Sequence, residues 1–224
     1  MSSSYRNAHS RLTAVALVAA CTAASLANLL ADPGFEDPNI PLVPIGQVAG
    51  PPFLPGAWGV ESASKTGPLH GISPFQGNYM LHMDRIVGNH TQTIQAVDLT
   101  AYAADIDAGN GTFTFSAWYN APSGSSARAI ATIQSYDSDN TMWIYPTDTQ
   151  ASSLNLDTDL DTWEQVTVSM DLPVGTRWVI VQVHFTNDSL TAAGGFVDGV
   201  TAVIPEPASL GLLGMGALLL LRRR

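Results

Sequence analysis

The sequence predicts an all-β chain, an antiparallel β-sandwich set between two targeting segments, and three observations predict it. Several segments alternate apolar and polar residues with period two, which gives a strand one core-facing and one solvated side. Nineteen glycines and fourteen prolines among 224 residues cut these segments into short pieces. No helix-period segment alternates with the strands, so a parallel α/β sheet is excluded and two packed antiparallel sheets remain.

Strands are expected near 57–62, 78–84, 91–97, 112–120, 127–136, 141–145, 163–170, 177–185 and 195–203. The alternation is plainest in Thr112–Asn120, where Phe113, Phe115, Ala117 and Tyr119 share one face and Thr114, Ser116, Trp118 and Asn120 the other. In Trp178–Phe185, Val179, Val181, Val183 and Phe185 oppose Trp178, Ile180, Gln182 and His184, and Val166, Val168 and Met170 alternate with Gln165, Thr167 and Ser169. Pro122-Ser123-Gly124-Ser125 and Asn187-Asp188-Ser189 supply turns between them. Pro38–Gly56 holds six prolines and three glycines and reads as a long irregular loop. Asp98–Ala108 is expected to form a helical turn over one end of the sandwich. No internal repeat and no second core is visible, so residues 28–203 form one domain.

Composition excludes several functions. Charged residues are 12% and hydrophobic ones 46%, which removes a charge-rich disordered chain. Between Asn28 and Ile204, eighteen acids face four basic residues, Lys65, Arg85, Arg128 and Arg177, a net charge of −14. Such a body repels nucleic-acid phosphates and anionic lipid, so no nucleic-acid partner is expected. The one cysteine, Cys21, lies in the N-terminal apolar run and leaves the body without disulfides or thiolate metal sites.

The ends read as addresses. Residues 1–27 form a signal peptide: Arg6 and Arg11 precede the apolar Leu12–Ala24 helix, and Ser25-Leu26-Ala27 offers small residues for signal peptidase. Val18-Ala19-Ala20-Cys21 competes as a lipobox whose cysteine is lipidated. Residues 204–224 contain Pro205-Glu206-Pro207, then the apolar run Ala208–Leu221, then Arg222-Arg223-Arg224. Fourteen helical residues reach about 21 Å, short of a hydrocarbon core of roughly 30 Å, and flanking arginines and local thinning absorb the mismatch. A short transmembrane helix results, with the arginines cytoplasmic and the body on the exported side.

This three-part order resembles the PEP-CTERM sorting tail of Gram-negative bacteria. The resemblance implies recognition by an exosortase, a membrane cysteine protease, and cleavage near Pro205-Glu206-Pro207. It implies a protein held transiently in the inner membrane and then passed to the cell surface or extracellular matrix.

The body carries a second resemblance, spread over 28–203. Asn28-Leu29-Leu30-Ala31-Asp32-Pro33-Gly34-Phe35-Glu36 resembles the opening strand of galactose-binding-like jelly rolls, which include many carbohydrate-binding modules. Gly56-Ala57-Trp58, Gly77-Asn78-Tyr79, Gln92-Thr93-Ile94, Gly111–Trp118, Trp163-Glu164-Gln165-Val166 and Phe196-Val197-Asp198-Gly199-Val200 follow in the family's order. The resemblance implies a structural Ca²⁺ held by Glu36 and Asp198 with backbone carbonyls. Ca²⁺ takes six to eight oxygens, so two carboxylates with carbonyls and water suffice chemically. The family often has a second aspartate where Gly199 stands. Asp157, Asp159 and Asp161 fail as an EF-hand, because Thr162 and Val168 occupy the glycine and glutamate positions, and read as a solvated acidic turn.

Trp118, Gln134, Tyr136, Trp143, Tyr145, Trp178, Gln182 and His184 all fall on the polar-phase sides of their strands. Two readings stand. Trp118, Trp143, Trp178, Gln182 and His184 form one aromatic, amide-lined face for a polysaccharide, or loops and the Pro-rich segment cover them as a second small core. Catalysis has no motif: His70, His82, His90 and His184 lack metal-ligand spacing, His82 with Asp84 reads as a surface pair, and no nucleophile elbow or phosphate loop is present. The reading is an exported, non-enzymatic surface or matrix protein that binds carbohydrate. A structural matrix or envelope protein without a defined ligand is the alternative, and a surface glycan hydrolase the third.

Overall fold

A computed structural model describes residues 27–49, 53–86, 90–137, 145–157, 159–186 and 190–205. The elements in chain order are β1 (Leu42–Pro44), α1 (Ile45–Val48), β2 (Trp58–Val60), β3 (Ala63–Thr66), β4 (Met80–Met83), β5 (Thr91–Asp98), a 3-10 turn Thr100–Tyr102, α2 (Ala103–Asp107), β6 (Thr112–Asn120), β7 (Arg128–Asp137), β8 (Asp148–Asn155), β9 (Glu164–Asp171), β10 (Thr176–Phe185) and β11 (Gly195–Val203). They form two sheets, one of six strands in the order β1-β2-β5-β10-β7-β8 and one of five in the order β3-β4-β11-β6-β9. Only β1 and β2 run parallel; the other named pairs are antiparallel. β1/β2, β3/β4 and β7/β8 are neighbours within one sheet, and every other step along the chain crosses to the opposite sheet, so β4 through β7 and β8 through β11 face each other in turn across the core. The all-β sandwich expected from the sequence is the observed fold.

The alternating apolar faces meet as expected. Phe113, Phe115, Ala117 and Tyr119 of β6 and Val179, Val181, Val183 and Phe185 of β10 are all fully buried in one cluster. The Tyr119 ring stands edge-on to Phe185, centroids 5.6 Å apart, and its hydroxyl donates to the Ile130 carbonyl at 2.8 Å. That bond satisfies the one polar atom the ring brings inside, and burial pushes the phenol well above its ordinary range.

Three expectations are corrected, and a fourth falls almost wholly outside the described residues. The Asn28–Glu36 segment is not a strand. It bridges the two sheets: Leu29 N–H donates to Ala202 O of β11, while Ala31 N–H donates to Gln95 Oε1 of β5, both at 2.8 Å. Pro33 and left-handed φ values at Asp32 (45°) and Phe35 (58°) break any ladder there. Pro38–Gly56 is not wholly irregular, since it contains β1 and α1. Val48, Ala49, Phe53 and Ala57 lie over Ile94, Ala96, Tyr136 and Ile180 as a second cluster on the outer face of the six-stranded sheet. β3 and β8 were not expected, because neither carries an apolar face. Of the expected strand at 141–145, Tyr145 lies outside any strand and the remainder lies outside the described residues.

Candidate functional site

The site grows from one loop. Ile72 and Met80 anchor its ends against Phe196 on the outer face of the five-stranded sheet, and between them Phe75 and Tyr79 stand 40% and 46% exposed. Two carboxylates hold the loop from below. Glu36 Oε1 accepts the amides of Asn78 at 2.8 Å and Tyr79 at 2.7 Å. Asp198 Oδ2 accepts Gln76 N–H at 3.1 Å, Oδ1 accepts its neighbour Gly199 N–H at 2.6 Å, and Phe75 N–H adds a further bond. Glu36 and Asp198, picked out together from the sequence, thus meet at the same loop.

Local geometry explains why these residue types stand here. Register shifts in the β11–β6 pairing between Asp198 and Thr201, where Gly199 adopts φ 54°. A Cβ at Gly199 would come within 3.0 Å of both Phe75 and Trp118, so glycine lets Phe75 lie on Trp118. The two rings stack with centroids 4.3 Å apart and planes 17° apart, and Trp163 meets Phe75 edge-on at 6.2 Å. The Trp163 indole N–H donates to Ser73 O at 3.1 Å and fixes the other side of the loop.

Electrostatics make the clasp strained in charge but satisfied in hydrogen bonds. Burial pushes the Asp198 carboxyl up to about 6; the amides of Gln76, Gly199 and Phe75 pull against that, and the Glu36 charge adds to the rise. Two facing carboxylates, one fully buried, are the electrostatics a divalent cation relieves. Five amide N–H groups nevertheless occupy several of their lone pairs. Beyond Glu36 lies a cleft of about 180 Å³ lined by Phe35, Glu36, Pro38, Lys65 and Tyr79. Lys65 is committed there: its ammonium reaches Asp32 Oδ2 and Asp37 O, both at 2.5 Å, and Ile40 O at 2.9 Å.

The five-residue face expected from the sequence does not assemble. Trp118 belongs to β6 of the five-stranded sheet, and Trp178, Gln182 and His184 belong to β10 of the six-stranded one. Both sets point away from the shared core and so lie on opposite outer faces; Trp143 lies outside the described residues. Period two assigns a side chain to a face of its strand and says nothing about which sheet the strand joins. Trp178 is half-buried, with Phe53 of the Pro-rich segment 5.5 Å from its ring and Phe53 in turn 5.1 Å from Tyr136. The second-core reading holds for Trp178 and Tyr136.

Gln182 and His184 stay together beyond that cover. Gln182 donates to Gln92 Oε1, and Gln92 donates to Glu61 Oε1 at 2.7 Å. His184 pairs with Gln92 across the strands, its Nδ1 is buried without a hydrogen-bond partner, and His90 lies 5.6 Å away. His82 Nε2 donates to Ala193 O at 2.9 Å, and its Nδ1 sits 3.6 Å from Asp84 Oδ1. Asp157, Asp159 and Asp161 lie in successive turns, with Asp157 accepting the Asp159 amide and Asp159 accepting the Asp161 amide, both at 3.0 Å. Among the described residues, no group of three or more His, Cys, Asp or Glu is placed to hold a metal.

Phe75, Tyr79 and Trp163 were not among the ligand-binding residues expected from the sequence, although Tyr79 and Trp163 stand in segments that carry the jelly-roll resemblance. The available signal was two aromatics, Phe75 and Tyr79, within the turn-forming run Gly71–Tyr79, where aromatic rings have no core to enter.

Comparison with known proteins adds the following. Residues 203–224 match the PEP-CTERM protein-sorting motif, which marks an exported protein. No curated protein matches the chain in sequence. Among solved structures, the chain is similar to tailspike protein 4 of bacteriophage CBA120, 11% identical over 80% of this chain and 21% of that one, TM-score 0.48. It spans about a fifth of the tailspike chain. It is also similar to a family 16 carbohydrate-binding module, 16% identical over 63% and 84%, TM-score 0.41. A xylan-binding CBM22 domain from Paenibacillus barcinonensis is 15% identical over 68% and 88%, TM-score 0.42. Among the described residues no helix is long and apolar enough to cross a membrane; Glu206, Pro207 and Arg222–Arg224 lie outside them, and only Pro205 of the sorting residues is described.

The His184 environment predicts a pH response. Burial, with His90 adding to it, lowers the imidazole to about 4, below its ordinary 6.5. The unfolded chain therefore binds the proton more readily, so this contribution is whole above pH 6.5 and is lost as pH falls toward 4. Denaturant midpoints measured from pH 7.5 to 4 should fall for the native sequence and fall less for His184→Gln. Equal slopes for the two would contradict the assignment.

Proposed function

We propose that this chain is an exosortase-processed surface or matrix protein whose sandwich binds a largely uncharged polysaccharide without catalysis, at the Phe75–Tyr79 loop. The observation that carries the reading is the clasp itself: two exposed aromatic rings on one loop, each held in place by buried or half-buried carboxylates. Exposed rings on an ordered loop offer C–H-stacking surfaces whose ordering cost is already met on folding. Tyr79 also borders the cleft containing Glu36, where a carboxylate oxygen can accept sugar hydroxyls. The −14 body disfavours strongly anionic polymers. Signal peptidase and exosortase act on the two ends, and the tail supports the second step by its match to the sorting motif.

Three measurements test this. Phe75→Ala and Tyr79→Ala should each weaken retention on a neutral polysaccharide matrix roughly three- to tenfold, about 0.5–1.5 kcal/mol per lost stacking contact. Tyr79→Ala should leave the unfolding midpoint nearly unchanged, while Phe75→Ala, which also loses the Trp118 stack, should lower stability by a similar amount. Trp178→Ala should instead lower stability by about 2 kcal/mol through loss of Phe53 packing and leave retention alone. The reverse pattern returns binding to the six-stranded face.

Ca²⁺ held by Glu36 and Asp198 would neutralise the clasp and tie the first segment to the last strand. An ion bound only by the folded state, at a hundred times Kd, stabilises by about 2.7 kcal/mol. Thermal midpoints in EGTA and in millimolar Ca²⁺ should differ for the native sequence and coincide for Asp198→Ala. Coincidence in both leaves the amides as the sole partners of the two carboxylates.

Mass spectrometry of surface material from the producing cell should show chains lacking the segment beyond the Pro205–Pro207 region. Chains ending at Arg224 would contradict processing.

A further inference from the structure

The four sheet edges are unequal. β1 has three residues and ends in Pro44, and β3 has four and carries Lys65. Short length, proline and lysine are devices that stop an edge from recruiting another strand. β9 begins and ends on acids, Glu164 and Asp171. β8 has none of these protections in its interior. It is eight residues long, its one charge is Asp148 at the first position, and it contains no proline or lysine.

Its geometry is equally open. β8 pairs with β7 from Arg128↔Asn155 to Ser135↔Asp148 without a shift of register, which leaves it straight and regular. Among the described residues no strand pairs with its other side. Six of its eight residues are exposed and the other two half-buried, so it extends past the core on both faces, with Leu154 37% exposed. Ordering eight residues costs backbone entropy that this strand offsets with little burial of its own. On a body of charge −14, a strip whose one acid is Asp148, with the Arg128 guanidinium of β7 donating to Ser153 Oγ, is also where two copies approach with least repulsion.

We propose that β8 is an assembly edge that pairs antiparallel with β8 of a second copy of this chain, joining two six-stranded sheets into one. A two-fold axis normal to the sheet places either Ala151 or Ser152 opposite itself. In the first register Asp148 meets Leu154, Thr149 meets Ser153 and Gln150 meets Ser152. In the second, Thr149 meets Asn155, Gln150 meets Leu154 and Ala151 meets Ser153. Neither register sets acid against acid, and both cover Leu154. The Phe75–Tyr79 loops lie on the other sheet of each copy and stay accessible, so the pair would present two of them.

The test is sedimentation of the exported protein over a range of concentrations, together with cysteine cross-linking. The native sequence should show a monomer–dimer equilibrium. Gln150→Lys/Ser152→Lys sets lysine against lysine in either register and should abolish the dimer, while Gln165→Lys/Thr167→Lys on β9 should not. Under mild oxidation, Ala151→Cys or Ser152→Cys should give a disulfide-linked dimer, since the body has no cysteine of its own. A monomer at every concentration with no cross-link from either cysteine overturns the proposal. So does a dimer that the β8 lysines leave intact, or one that the β9 lysines dissolve.

Discussion

Two carboxylates from opposite ends of the body close on one loop, and much of the five-stranded sheet's outer face depends on that closure. Asp198 is fully buried, a placement that burial alone would make prohibitive for an ionised group. Backbone amides from Phe75, Gln76 and Gly199 make it tolerable, and Glu36 does the same with Asn78 and Tyr79. Hydrogen bonds to a charged acceptor contribute about 1.5–3 kcal/mol each, more than neutral ones. The bonds therefore order a loop with few buried side chains of its own. Gly77 belongs to the same device, because at φ 67° it turns the loop around Glu36, where a Cβ would collide with the carboxylate.

The clasp also explains the difference between the two outer faces. On the five-stranded side the covering loop is held by polar bonds at its base, so its aromatic rings are free to point outward over Trp118. On the six-stranded side the Pro-rich segment is held by apolar contact. Phe53, Val48 and Ala49 are turned inward against Ile94, Ala96, Ile180 and Tyr136, and little aromatic surface is left. Beyond that cover a polar strip remains, running from Glu61 through Gln92 to Gln182, with His184 beside it.

The sequence made the core legible because burial on one side of a strand leaves a period-two record. Phe113 through Tyr119 and Val179 through Phe185 carry it, and their inward faces are as expected. Glu36 and Asp198 were legible through the resemblance of the segments around them. Sheet membership was not, since Trp118 and Trp178 have the same local pattern and only long-range pairing separates them. β8 left no trace because both its faces are wet, and Asn28–Glu36 misled because its apolar residues pack without a ladder. The tail was legible from order alone: a Pro-Glu-Pro, an apolar run and three arginines need no fold to be read.

Amide hydrogen exchange at single-residue resolution tests the central claim most directly. If Glu36 and Asp198 hold the loop through its backbone, the amides of Gln76, Asn78 and Tyr79 exchange slowly although their residues are exposed, and Glu36→Gln releases Asn78 and Tyr79 first. Exchange at those amides as fast as in the exposed Ser123-Gly124 turn, or unchanged by Glu36→Gln, would contradict it.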